Sequence, residues 1–153
     1  MANEIRIKQD AWTTLTMTLA ALATGSGRQS TVVTNTNLRW AMILDMKIRS
    51  GAVAPTADSS YEIYFGRGDG AGNRDDNAGA ADAAFTPLNV ALLGTLVVTA
   101  SANTDFQKFF DTGGLGKIGT EFFIAVRNSS GQSLNGTEGN HRKAYSLYLP
   151  EVQ

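Results

Sequence analysis

The chain has 153 residues, 13 Lys and Arg against 14 Asp and Glu, a formal charge of -1, one histidine and no cysteine. Disulfides, thiolate nucleophiles and sulfur-ligated zinc are thereby excluded, and the balanced charge argues against a basic nucleic-acid-binding face. With 42% apolar and 18% charged residues, the composition is that of a single folded domain, 1–153, with one core.

The opening Met1 to Lys8 alternates charged and apolar groups, Glu4, Ile5, Arg6, Ile7 and Lys8. This fits a short strand or arm over 1–10 and lacks the unbroken apolar segment of an export signal. From Thr13 to Ala23, Thr14, Thr16 and Thr18 alternate with Leu15, Met17 and Leu19, which predicts a long early strand with threonine on its wet face. Ser30 to Thr34 is a weaker strand candidate. The clearest period of two runs from Leu38 to Arg49. Its even positions, Leu38 through Ile48, should face a core, and most odd ones should face water.

Tyr61, Ile63 and Phe65 repeat the pattern. The following stretch, 66–84, combines five glycines with Asp69, Asp75, Asp76 and Asp82 and reads as a long exposed loop, the main candidate for an insertion that contacts something. A helical turn is expected around Pro87, and a strand over Leu92 to Thr99 with Gly94 at a bulge or close approach. Val90 to Ala100, the most apolar stretch, is about half the ~20 residues of a membrane-spanning helix, so no membrane partner is expected. Phe122, Ile124 and Val126, then Tyr145, Leu147 and Leu149, complete about eight half-buried strands, and Asn135 to Lys143 reads as a second, shorter loop. The fold class is all-β: an antiparallel β-sandwich, jelly-roll-like, with little helix.

Motifs of chemistry fail on context. Gly114 to Gly119 matches GxGxxG but is followed by a strand where a dinucleotide site needs a helix. The loop aspartates lack the spacing of an EF-hand. Arg67-Gly68-Asp69 spells an integrin-recognition tripeptide and reads as chance. His141 has no sequence neighbour that completes a triad and reads as an exposed loop histidine. Asp45, Glu62 and Glu121 sit on strands with unknown separation, which leaves a two-carboxylate glycosidase as a third reading. No cofactor and no metal are expected. Trp12, Trp40, Tyr61, Tyr64, Tyr145 and Tyr148 raise a carbohydrate-binding alternative, with Tyr64 and Tyr148 out of phase with their strands' apolar sets and expected on the outer face.

Several phrases occur in a telling order: Met1-Ala2-Asn3-Glu4-Ile5-Arg6-Ile7-Lys8, a Thr-rich strand ending Leu22-Ala23, and Gly27-Arg28-Gln29-Ser30-Thr31. Glu62-Ile63-Tyr64-Phe65-Gly66, Leu92-Leu93-Gly94 and Ala125-Val126-Arg127-Asn128-Ser129-Ser130-Gly131 follow. Over most of its length the chain resembles the small capsid decoration, or cement, proteins of tailed bacteriophages. The resemblance implies a non-enzymatic jelly-roll subunit of the virion, trimeric, bound outside the major capsid protein shell and stabilising it through many repeated contacts. Glu4, Ile5, Arg6, Ile7 and Lys8 are candidates to add a strand to a neighbour's sheet, in competition with pairing inside their own. Tyr64, Arg67, Asp69, Arg74 and Tyr148 are further partner-binding candidates. The alternative is a host-surface or carbohydrate-binding module of a phage tail or head fibre.

Overall fold

The computed structural model describes residues 5–152. Its strands, in chain order, are β1 (Ile5–Gln9), β2 (Thr13–Thr14), β3 (Gly27–Gln29), β4 (Val33–Thr34), β5 (Ala41–Arg49) and β6 (Ser60–Gly68). Then come β7 (Ala83–Ala84), β8 (Ala91–Val97), β9 (Asp105–Asp111), β10 (Glu121–Ser129) and β11 (Arg142–Val152). In the first sheet β1 and β2 lie end to end along β11, which pairs on its other side with β5, and β5 with β9. In the second, β3 and β4 lie end to end along β10, followed by β6 and β8, with β7 outside β3. All pairs are antiparallel. With β3 and β4 taken as one interrupted strand, the orders β2-β11-β5-β9 and β3/4-β10-β6-β8 are those of a jelly-roll sandwich. The eleven strands exceed the expected eight because that strand is interrupted and because β1 and β7 are added at sheet edges.

The even positions of the period-two pattern in β5 build the core, whereas the odd positions expected in water are half-buried or, at Ala41 and Asp45, buried under neighbouring side chains and segments. Met42, Leu44, Met46 and Ile48 from β5 meet Tyr61, Ile63 and Phe65 from β6 and Phe122, Ile124 and Val126 from β10, all essentially without solvent access. Leu38 and Trp40 depart from the expectation. The strand begins at Ala41, and both side chains are exposed on the turn before it. Gly94 sits where β8 bulges against β6, and a side chain there would collide with the Phe110 ring. A strand absent from the sequence pattern, β9, is hidden because its phase is mixed: Phe106 and Phe110 pack on the core, Lys108 shares their side of this edge strand but is exposed, and Phe109 points outward. Lys108 is accommodated by lying over the Phe110 ring, 5.2 Å from its centre.

The Thr13 to Ala23 strand is only partly realised. Leu15, Met17 and Leu19 are buried and Thr14, Thr16 and Thr18 exposed, as alternation predicts, yet the ladder ends at Thr14. The later backbone donors go to carboxylates instead. Asp82 accepts the Thr18 N–H (2.9 Å) and hydroxyl, and Glu138 accepts the N–H groups of Leu19 and Ala20, both at 2.7 Å. Only the Leu15 N–H, donated to the Lys143 carbonyl at 2.8 Å, carries the pairing with β11 one residue further.

The segment 66–84 is exposed over 69–73 and 79–81, as expected, but it is anchored elsewhere. Gly66, Arg67 and Gly68 continue β6, and the two glycines lie opposite Phe123 and Glu121, whose side chains occupy the space a Cβ would need. The chain then folds back over the outer face of the second sheet. Ala78, Val90, Phe123 and Ala125 form a small second core there, with Val32, Tyr64 and Phe85 packed against it. The aspartates hold this arrangement: Asp75 accepts the Arg67 N–H, and Asp76 accepts the N–H groups of Leu88, Asn89 and Val90. No helical turn forms around Pro87; the single 3-10 turns are at Asp75–Asn77, Gly113–Leu115 and Glu138–Asn140.

Candidate functional site

Two connecting segments and a strand ribbon meet at one end of the sandwich. Beyond the start of β5 at Ala41, opposite Tyr148, β11 continues with β1 as its only strand partner among the described residues, so Ile5 to Lys8 and Leu149 to Val152 form a two-stranded ribbon. Ile5 and Ile7 are both exposed and share a face, since side chains two apart on a strand point the same way. Lys8 pairs with Glu151 across the ribbon at 3.1 Å. Asp10, just after β1, is gripped by both ends of the Arg39 guanidinium at 2.7 and 2.9 Å, and its carboxyl is held below the usual range by that hydrogen-bonded partner.

Arg39 belongs to the turn 35–40. Asn35, buried, donates to the carbonyls of Arg39 and Gly119 and accepts the Arg39 N–H, so three bonds fix the turn. Within it Leu38 has φ +48° and is 69% exposed. A bulky side chain in the left-handed region is strained, and here the strain holds an apolar group out in water. Trp40 lies beside it with the Lys117 ammonium 5.5 Å above the ring. Leu38, Trp40, Lys117 and Thr120 line a mainly apolar cleft of about 250 Å³.

The segment 111–119 closes this end, with the Ile118 N–H on the Trp40 carbonyl. The glycine-rich stretch forms a turn that enters β10, with Leu115 exposed.

The sequence-derived candidates fall mostly at this end. Ile5, Arg6, Ile7 and Lys8 form β1, paired within their own sheet; Glu4 lies outside the described residues. Tyr148 donates to Asp111 at 2.7 Å, and burial together with that carboxylate pushes its phenol up to about 12. Arg67 donates to the carbonyls of Lys117 and Leu115, tying β6 to the 111–119 segment. Asp69 accepts the N–H groups of Ala71 and Asn73 and closes its own turn. Arg74 forms a mostly buried ion pair with Glu121 at 2.7 Å. Tyr64 stands apart, half-buried in the second core with its hydroxyl on Glu62 at 2.6 Å. Tyr64, Arg67, Asp69, Arg74 and Tyr148 are thus each engaged within the chain. The apolar tips Leu38, Trp40 and Leu115 are the more available surface. Leu38 and Trp40 carried a signal only in being apolar where the strand had not yet begun.

The catalytic candidates do not converge. Glu62 and Glu121 lie six residues apart along the β6–β10 register, about 20 Å at strand rise, and Asp45 lies on the other sheet. A two-carboxylate glycosidase needs roughly 5–9.5 Å. His141 is buried, contrary to the exposed loop position expected: its Nε2 lies 3.0 Å from the Asn135 carbonyl, its Nδ1 accepts the Arg49 N–H, and burial lowers its pKa. Among the described residues, no group of three or more His, Asp or Glu side chains is placed to hold a metal ion, and no helix is long and apolar enough to cross a membrane. No protein-family model matches the chain, and no curated protein is similar enough to identify a relative.

Proposed function

We propose that the protein is a structural virion subunit that binds the outside of a bacteriophage capsid and stabilises the shell, acting as a homo-oligomer, with a trimer favoured. The observation that carries the reading is the end described above. Ile5, Ile7, Leu38, Trp40 and Leu115 are exposed apolar groups at this end, Leu38 and Trp40 line a braced cleft, and Leu38 is held in a strained conformation. Apolar and aromatic side chains on a rigid support are the usual anchors of a protein interface. The jelly-roll topology agrees with the resemblance, and a ribbon at a sheet edge is suited to pairing with a neighbour's strand. Bridging contacts repeated over a closed lattice would resist internal pressure by multivalency.

The test mixes purified protein with expanded capsids that lack it, with Leu38→Ser and Trp40→Ala variants alongside. Lattice-stoichiometric binding, a raised capsid melting temperature and loss of both in the two variants are expected. Failure of the unmodified protein to bind, or unchanged capsid melting after binding, refutes the function. Full binding by both variants refutes the site. Removing residues 1–8 should weaken capsid binding or oligomerisation while leaving the sandwich folded.

A further inference from the structure

The outer face of the first sheet holds a separate groove. The register places Thr14, Ala144, Asp45 and Phe109 in one row across four strands. Trp12, just before β2, reaches across this row and meets Phe109 edge to face, with ring centres 6.1 Å apart. The small Ala144 leaves room for it to cross. Both rings stay accessible, Trp12 at 43% and Phe109 at 58%.

Beside Trp12 the face opens into a groove of about 490 Å³, walled by Trp12, Thr14, Lys47, Gly139 and Arg142. This volume lies within the range of ligand sites. No carboxylate lines it. Asp45, only 1% exposed, is covered by Arg142 at 2.7 Å and by Gln107 at 2.7 Å, so its charge serves to hold the guanidinium in place. The Arg142 side chain is itself 58% exposed, and the pair engages its Nε, which leaves the planar fork turned outward. Lys47 is tethered to Asp105 at 3.2 Å on the same face.

An accessible indole next to an oriented guanidinium and an ammonium suits a ligand with an apolar ring face and carboxylate substituents. From this juxtaposition we infer that the groove binds an acidic oligosaccharide, with Trp12 stacking on a sugar ring and Arg142 and Lys47 pairing with its carboxylates. A neutral glycan would use the indole alone. The groove is distinct from the shell-binding end, because Arg142 and Tyr148 lie six residues apart on β11, about 20 Å.

Titration with an oligogalacturonate hexamer, and with maltohexaose as the neutral counterpart, tests the assignment in Trp40→Phe protein, where Trp12 is the sole indole. Saturable quenching by the galacturonate, at least about tenfold tighter than by maltohexaose, is expected. Trp12→Ala, read by calorimetry, should lose at least about tenfold in affinity, and Arg142→Gln should erase the preference for the acidic glycan. Circular dichroism verifies that both variants are folded. No saturable binding of either glycan up to millimolar concentration, equal affinity for the two, or full binding by Trp12→Ala overturns the proposal. Trp12→Ala should keep its binding to capsids; joint loss of glycan and capsid binding would overturn the separation of the two surfaces, whereas failure of capsid binding in the unmodified protein leaves the glycan result standing.

Discussion

Lys143 and Glu138 form a pair whose two members should respond very differently to removal. Register with Met46 places Lys143 on the inner face of the first sheet, where it is 7% exposed, and burial lowers its pKa. Its ammonium meets the Glu138 carboxylate, which also accepts the N–H groups of Leu19 and Ala20. Glu138→Ala therefore strands a buried cation and two backbone donors. Breaking a buried pair from one side costs about 3–5 kcal/mol, and the Glu138 side chain is 39% exposed, so water replaces part of what is lost and the lower end, about 3 kcal/mol, applies. For a domain of this size that corresponds to about 6–12 °C in Tm. Lys143→Met removes the charge that had to be desolvated and keeps the volume, so stability should stay within about 1 kcal/mol of the unmodified protein, or rise. Urea unfolding of the two variants, analysed for midpoint and slope, gives the comparison. Equal losses, or a larger loss for Lys143→Met, would show that the lysine contributes net stability and that the reasoning is wrong.

Gly66→Ala forces a methyl into the Phe123 ring across the β6–β10 ladder and should cost about 1–3 kcal/mol in denaturant unfolding, whereas Gly72→Ala, with open space but a positive φ, should cost less. Leu38→Gly relieves a left-handed leucine and should leave stability unchanged or raise it by up to about 1 kcal/mol while reducing capsid binding; a clear loss of stability would refute the strain argument. Burial alone would raise the Asp82 carboxyl, but hydrogen bonds from Arg28 and Thr18 outweigh it and hold the group below the usual aspartate value. A carboxyl held low when folded adds stability that is complete above the ordinary value near 3.8 and is lost as pH falls through it towards the folded value. Asp82→Asn should accordingly flatten the acid limb of a Tm against pH profile, and an unaltered limb would assign the effect elsewhere.

The sandwich was legible because its central strands alternate cleanly: Met42 to Ile48, Tyr61 to Phe65 and Phe122 to Val126 each needed only a period of two. Legibility failed where a side chain's partner lay far away in sequence. Lys143 is buried because a carboxylate receives it, and Lys108 shares a strand side with Phe106 and Phe110 while its exposed ammonium lies over a ring; local pattern carries no trace of either contact. The stretch 66–84 looked like free loop because its glycines and aspartates are ordinary turn formers, yet the glycines make room for Phe123 and Glu121, and Asp76 caps backbone twelve to fourteen residues on. The surfaces proposed for binding were half legible. The terminal strand was marked by its alternation, and Trp12 and Trp40 by being aromatic. Nothing local indicated that Leu38 would be held outward or that Trp12 would span a sheet to Phe109.

The placement of β10 and β11 governs how the molecule is made. Of the described strands they are the last two in chain order, and each is an interior strand of its sheet. Until β11 emerges, β5 has lost one of its two neighbours and β1 and β2 have nothing to pair with, so Met42, Leu44 and Met46 lie beside an unfilled slot. The nascent chain is consequently most prone to stick to other chains once β9 has been made and β10 and β11 have not, when strands β1 to β9 expose apolar faces and neither sheet has closed. Closure joins residues about a hundred positions apart across β3 and β10 and more than a hundred apart across β1 and β11, which predicts slow folding and poor recovery from concentrated denatured stocks.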